Sequence, residues 1–447
     1  MLRMDVEMQN FLPSEILSIK QPDYFLACQS FGKMTKEQTH RVLDRVWQSD
    51  TDAKESTLTF TTLHAYMRSL VHDPAFVIDG VNRLERYFEC FDGFASGAEL
   101  TSEQCACLQS EFSVGCQTMF IQDKQTERIG FLHMEENSRD PMLYQFCLHP
   151  SSVGASEPLT SLYDYRMVRM DIGKNAYTFF GYPGLCFGGP SMGVIESTHT
   201  FVSVDYLNTI TPSGQKGVWI NALVSMLYEI GDVESMIGFI KQLSKRHIPL
   251  FCGYAIHIAT GGDHPRLYTL ECGDKTYDVR LPSVCDDRLI IAHGNVPENS
   301  TLYKQDEMNL EVFPTDSLDT IQQSIEFHRR MERLQTRAKT LSLSGMQTPD
   351  STIQTFLTEC AEPYGDIETN VHGKEYAGYV TPILAGFSVG SIDSTASKIA
   401  FHKLHPDPIP ERPYRFWYDE HDHRIQDVGI DLLTSARQYS ARHPVSS

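Results

Sequence analysis

No uninterrupted apolar run in the chain approaches the roughly 20 residues that a membrane-spanning helix needs. Basic charge is also scarce: 38 Lys and Arg stand against 58 Asp and Glu, for a formal net charge of −20. A phosphate backbone or an anionic membrane surface would be repelled by that balance, so neither nucleic acid nor membrane is expected as a partner. The densest basic group, Arg329, Arg330, Arg333 and Arg337, falls in a helical pattern and reads as a solvated face. The opening MLRMDVEMQNFLPSEIL has no apolar stretch of signal-peptide length. Of eleven cysteines only Cys105 and Cys107 are close neighbours, and no CxxC pair marks a zinc site. Reduced thiols in a cytoplasmic protein with no bound metal are therefore expected. There is no internal repeat and no low-complexity tract.

What is present is an alternation of helical and extended blocks. Thr35 with Gln38, and Thr101 with Gln104, have the spacing of capping boxes that open helices. After the second helix the apolar period changes from about four to two. Residues 118–121 and 129–134 read as hairpin strands across the polar turn QDKQTER, and further strands are expected at 177–180, 200–206 and 253–259. Helices are expected near 218–230, 232–243 and 317–338. Residues 49–58 read as a loop, 336–352 as a surface linker, and the residues from Tyr418 as an appended tail whose DEHDH stretch (419–423) is solvated. Strands grouped between helices without a regular βαβ rhythm point to sheets covered by helices, an α+β protein.

Within this pattern SVGCQTMFIQ carries a Gly115–Cys116 step at the head of a strand. Glycine permits backbone dihedrals closed to other residues. A strained, accessible Gly–Cys bond can be attacked by its own thiol, and water completes the break. Cys116 then becomes an N-terminal residue. Its α-amino group titrates at about 7.7–8.0, close to a thiol at about 8.5, and serves as base for its own nucleophile. Taken without its surroundings, a Gly-Cys dipeptide in an apolar run is a buried structural cysteine.

The surroundings carry more. Gly93, Ala95, Gly97 and Ala98 form a G-x-A-x-G-A segment ahead of Gly115–Cys116; His133-Met134-Glu135-Glu136 follows as an H-x-E-D type turn. YPGLCFGGPSMGV (182–194), HGN (293–295) and SIEFHRRMERL (324–334) come next in order. In the order and spacing of these motifs, over about residues 90–335, the chain resembles the acyl-CoA:6-aminopenicillanic acid acyltransferase family of autoproteolytic N-terminal nucleophile hydrolases, which includes the β-alanyl-amine hydrolases. The resemblance implies a four-layer αββα sandwich, cleavage between Gly115 and Cys116, and an acyl-Cys116 intermediate. It implies Glu136 as the site carboxylate, where family members usually have Asp. It also implies an oxyanion asparagine on the strand 251–259, and this chain has none there. Tyr254 and His257 are the candidates on that strand, but they point to opposite faces, so at most one can serve. His133, His293 and Asn295 are further candidates for lining the pocket. Met134 replaces a residue that is commonly Asn or Thr, and Asn221 stands where arginine is frequent.

The expected organisation is a mainly helical segment 1–115, a catalytic segment 116–418 and a tail 419–447, the two cleavage fragments staying associated. The expected activity is amide hydrolysis or acyl transfer on a small acyl amide or thioester, with an acceptor amine for transfer. No cofactor is implied, although acyl-CoA could be the donor substrate. Two alternatives stay open: an inactive relative that serves as a binding or regulatory module, and an uncleaved hydrolase pairing Cys116 with His133 or His293.

Overall fold

The computed structural model describes residues 5–9, 16–48, 61–108, 113–137, 166–181, and 192–261 apart from 208 and 210–215. It further describes 265–346 apart from 307–308, 311–327, 329–330 and 333, then residue 351 and the strands 368–371, 374–377, 384–392 and 398–402. The expected loop 49–58, the arginines 329, 330 and 333, and the tail from Tyr418 lie outside the described residues.

The fold is mixed α and β with two large sheets. The first has seven strands in the order β1 (Asp5–Gln9), β19 (Lys398–His402), β18 (Leu384–Ile392), β6 (Ile129–Asn137), β5 (Ser113–Asp123), β15 (Arg288–His293), β14 (Ser283–Cys285). The second has eight: β13 (Thr276–Arg280), β12 (Arg266–Asp274), β11 (Leu250–Thr260), β10 (Thr200–Leu207), β9 (Met192–Ile195), β8 (Asn175–Gly181), β7 (Arg166–Ile172), β2 (Ile16–Gln21). Two short hairpins, β3–β4 (Val77–Ile78 with Val81–Asn82) and β16–β17 (Glu368–Val371 with Lys374–Ala377), stand apart from both sheets. The expected strands at 118–121, 129–134, 177–180, 200–206 and 253–259 all fall inside these elements.

Strand alternation gives each sheet two buried faces. On the seven-stranded sheet Met119, Ile121, Leu132, Ile290 and Ala292 pack outward against Leu334, Ala338, Leu341 and Met346. The segment expected to be a linker is thus a helix through residue 340, followed by a turn locked to the sheet. Arg128 donates to Met346 O, and Arg288 to Ala338 O and Leu341 O. Thr336, Thr340, Ser342 and Ser344 are exposed while Leu341 and Met346 anchor it. On the eight-stranded sheet Val202, Val204, Ile256, Ile258 and Leu270 pack outward under the helices Tyr24–Gln48, Arg83–Ala98, Ile220–Ile230 and Val233–Lys245. The inner faces meet each other: Phe120 and Phe131 contact Phe201 at ring-centroid distances of 5.6 and 4.2 Å.

The segment before residue 115 belongs to this same body. Strand β1 pairs in parallel with β19 and β2 with β7, so the segment adds one edge strand to each sheet. Its helices share a core with the eight-stranded sheet. Helix Tyr24–Gln48 begins eleven residues before the expected cap at Thr35. Thr35 instead sits mid-helix, buried, with its hydroxyl donating to Phe31 O one turn back, so the box spacing with Gln38 is coincidental. The box at Thr101 and Gln104 is real and reciprocal, with bonds of 2.9 and 3.1 Å.

The G-x-A-x-G-A segment has a packing role. A Cβ on Gly93 would stand 2.3 Å from Phe25 O, and one on Gly97 2.0 Å from Gln29 O. From the other helix, a Cβ on Gly32 would stand 2.4 Å from Phe94 O. The two helices therefore cross with backbones in contact. Gly97→Ala is expected to force them apart and lower stability by about 1–3 kcal/mol, as overpacking does. Denaturant unfolding of the variant checks this; an unchanged midpoint would contradict the close crossing.

Candidate functional site

Cys116 lies on β5, a strand with neighbours on both sides, and is only 1% exposed. Alternation puts it on the face of Thr118 and Phe120, towards the eight-stranded sheet. The ladder is irregular at this point. A register shift between Ser113 and Gly115 leaves Gly115 opposite Glu136 and Cys116 opposite Glu135. On the other side of β6 a second shift, between Leu384 and Gly386, falls opposite the same two glutamates. Bulges re-aim side chains and gather beside functional sites.

The Cys116 amide does not bond within the ladder alone. It donates to Asn295 Oδ1 at 3.0 Å, and Asn295 Nδ2 donates to Tyr206 O at 2.6 Å. A backbone N–H needs an acceptor and a carbonyl needs a donor, so only one orientation of the Asn295 amide satisfies both. The buried Asn295 thereby ties the head of β5 to β10 of the facing sheet. Gly294 passes beside Cys116, where an added Cβ would sit 3.7 Å from Cys116 O.

One step along the strand from Cys116, a polar seam crosses between the sheets. Thr118, His133 and His293 come from the seven-stranded sheet; Ser203, Asp205, His257, Thr269 and Glu271 come from the eight-stranded one, and all are buried. Asp205 Oδ1 accepts from Thr118 Oγ1 at 2.9 Å, and Oδ2 accepts from His257 Nε2 at 3.0 Å. His133 Nδ1 lies 2.8 Å from Thr118 Oγ1, and His257 Nδ1 lies 3.0 Å from Thr269 Oγ1. His293 reaches Glu271 Oε1 through Nε2 at 2.8 Å and Gly294 O through Nδ1 at 2.7 Å, with Asp205 Oδ2 3.5 Å from that Nδ1. Glu271 also accepts from the Glu298 and Asn299 amides.

These partners assign the protons. Both nitrogens of His293 face acceptors, so both carry hydrogen. Burial alone would lower this imidazole, but the Asp205 and Glu271 carboxylates raise it to about 10. His257 is pushed the other way. Its burial outweighs the pull of Asp205, and the ring is held neutral with hydrogen on Nε2. Burial favours protonated Asp205 and Glu271, yet hydrogen bonds and adjacent imidazoles hold both carboxylates below their ordinary range. The seam therefore contains a carboxylate–imidazolium–carboxylate sequence, Asp205–His293–Glu271.

Of the residues singled out from sequence, Cys116, His133, His257, His293 and Asn295 converge at this inter-sheet region. Tyr254 does not: it points to the helix side with Trp219 and Tyr206, opposite to His257, as the strand alternation required. His133 through Glu136 do not form a turn; they continue β6, because hairpin pairing with β5 extends to Asn137. Glu136 is placed by its main chain opposite Gly115, and its side chain lies outside the described residues, as does most of 182–194. The asparagine sought on 251–259 is absent there, and Asn295 approaches Cys116 from the turn just after β15 instead. Asp205, Glu271 and Thr118 were missed. For the two carboxylates the signal was an acidic residue inside an apolar strand, Asp205 in TFVSVDYL and Glu271 in RLYTLECGD.

No family model matches the chain, and no curated protein matches it significantly.

Removing one member of a buried charged network leaves the others unpaired, at a cost of about 3–5 kcal/mol. Asp205→Ala is expected to lose stability of that order and Asp205→Asn less, since the amide still accepts one hydrogen bond. Unfolding curves of both variants check the order; equal, small losses would show that the carboxylate is not the centre of the seam.

Proposed function

We propose that the chain is a self-cleaving cysteine N-terminal nucleophile amidohydrolase or acyltransferase, with its two sheets and flanking helices arranged as an αββα sandwich. The observation that carries this reading is the grip of Asn295 on the Cys116 amide, at a Gly–Cys step that follows directly on a register shift and faces the inter-sheet space. Helices on one outer face and the segment 334–346 on the other support the layer order.

In the cleavage reaction Cys116 Sγ attacks the Gly115 carbonyl carbon and the Gly115–Cys116 C–N bond breaks. The thiol proton passes to the departing nitrogen. Water then hydrolyses the Gly115 thioester, which yields the Gly115 carboxylate, the Cys116 thiol and a free α-amino group. Asn295 Oδ1, already an acceptor for that nitrogen, remains in place to orient it. In turnover the α-amino group takes the thiol proton as Sγ attacks the acyl carbonyl of the substrate. The leaving amine or thiol departs with a proton, and water or an acceptor amine releases the acyl group. Glu136, opposite Gly115 in the register, is the carboxylate that the family resemblance assigns to holding the new amine. Because helices before residue 115 share a core with the eight-stranded sheet, the two fragments stay associated. Small acyl amides fit as substrates, and an acyl-CoA thioester fits as donor.

One observation favours a second reading. Cys116 is almost wholly enclosed in the uncut chain, and Met134 and Glu136 depart from the family pattern. A binding module that keeps the fold and never cleaves has the same features.

Intact mass of freshly purified protein beside Cys116→Ala separates the two. Two fragments meeting between Gly115 and Cys116, absent in the variant, are expected; a single uncut chain in both would leave the binding module. Asn295→Ala is expected to slow fragment formation about 100-fold or more, since misplacing a reacting group by about 1 Å costs that much. A time course at matched folded fraction reads it.

A further inference from the structure

We infer that Asp205, His257 and His293 form a binding site for a divalent first-row transition ion that clasps the two sheets together. The inference is independent of Cys116 chemistry.

One nitrogen from each ring and a carboxylate oxygen all lie within 4.8 Å of one another, and all three residues are buried. Asp205 Oδ2 lies 3.0 Å from His257 Nε2 and 3.5 Å from His293 Nδ1. Ligands at the zinc distances of about 2.0–2.1 Å in a tetrahedron stand about 3.3–3.4 Å apart, so these separations suit one ion with little movement. Two imidazoles and one carboxylate are also a donor set that zinc and its neighbours accept, leaving a further position open.

The second layer of contacts strengthens the assignment. A ligating histidine usually gives its other ring nitrogen to a carboxylate, carbonyl or hydroxyl, which fixes the ring. His293 Nε2 is held by Glu271, His257 Nδ1 by Thr269, and the second oxygen of Asp205 by Thr118. Each donor is thus aimed by a partner outside the cluster. His293 Nδ1 donates to Gly294 O here. The ion replaces that proton, and the hydrogen of His257 moves from Nε2 to Nδ1 to face Thr269.

Asp205 and His257 belong to the eight-stranded sheet and His293 to the seven-stranded one. An ion here bonds across the interface, and with no solvent-exposed ligand its first role is structural. It would be acquired as the sheets close and released slowly afterwards.

The test uses the full chain, its Cys116→Ala form included so that cleavage cannot confuse the result. Metal content is measured after expression with Zn2+ supplied, and the protein is refolded from chelator with Zn2+ or Co2+ as probe. Close to one ion per chain is expected. With Co2+ the visible bands of a low-coordinate nitrogen–oxygen site should appear, and thermal unfolding should move upward on loading. His257→Gln keeps a polar side chain in the seam and should abolish the ion, the bands and the upward shift. His72→Gln, outside the seam, should change none of them. If wild-type protein refolded with metal carries well under one ion per chain and shows no bands, the site is a hydrogen-bonded seam alone. Full metal retention in folded His257→Gln would equally overturn the assignment.

Discussion

Two carboxylates and an imidazolium placed out of water between the sheets constrain everything around them. Asp205, His293 and Glu271 can be buried as ions only if each remaining lone pair and proton has a partner. Thr118, His257, Gly294 O and two loop amides supply those partners, and Thr269 holds His257 in turn. Together with the three ions they span five strands of the two sheets, β5, β10, β11, β12 and β15, and the loop after β15. Slipping any of those strands by one residue would turn its polar member away and leave a buried charge unpaired. The aromatic contact of Phe120 and Phe131 with Phe201 provides apolar area beside the seam, but area alone is non-directional. The seam is what makes one register between the sheets far better than its neighbours.

That fixed register positions the head of β5. Thr118 is locked to Asp205, so Cys116, two residues earlier on the same face, has little freedom in where it lies. Asn295, two residues beyond His293, is held equally firmly and completes the grip on the Cys116 amide. The ladder becomes irregular only past this anchor, at the shifts beside Gly115 and Gly386.

The segment before Gly115 is bound into the same architecture. Gly32, Gly93 and Gly97 let two helices touch backbone to backbone, and their apolar faces join the core over the eight-stranded sheet. Strands β1 and β2 then reach separate sheets. A cut at residue 115 would leave these contacts intact. Under the proposed cleavage, the shared core is what would keep the two fragments together without a covalent link.

Period and punctuation made much of the fold legible. Alternation of two revealed the β5–β6 hairpin and the strands at 200–206 and 253–259, and it also placed Tyr254 and His257 on opposite faces. The capping box at Thr101 was read correctly because both its partners are local. The one at Thr35 misled because a buried helix, stabilised by packing against Arg83–Ala98, overrode a local signal. Residues 336–352 read as linker because serine and threonine are frequent there; within 341–346 two apolar side chains and two arginines docking on main-chain carbonyls decide otherwise. At the site, local sequence singled out Cys116, His293 and Asn295, but no spacing connects Asp205 to Glu271 or either to Thr118. The sequence by itself determined which residues alternate, which helices cap and where a Gly–Cys step stands, since those depend on neighbours within a few positions. Only the tertiary structure decided that Asn295 holds the Cys116 amide and that three histidines share two buried carboxylates, because those contacts exist only when the two sheets face each other.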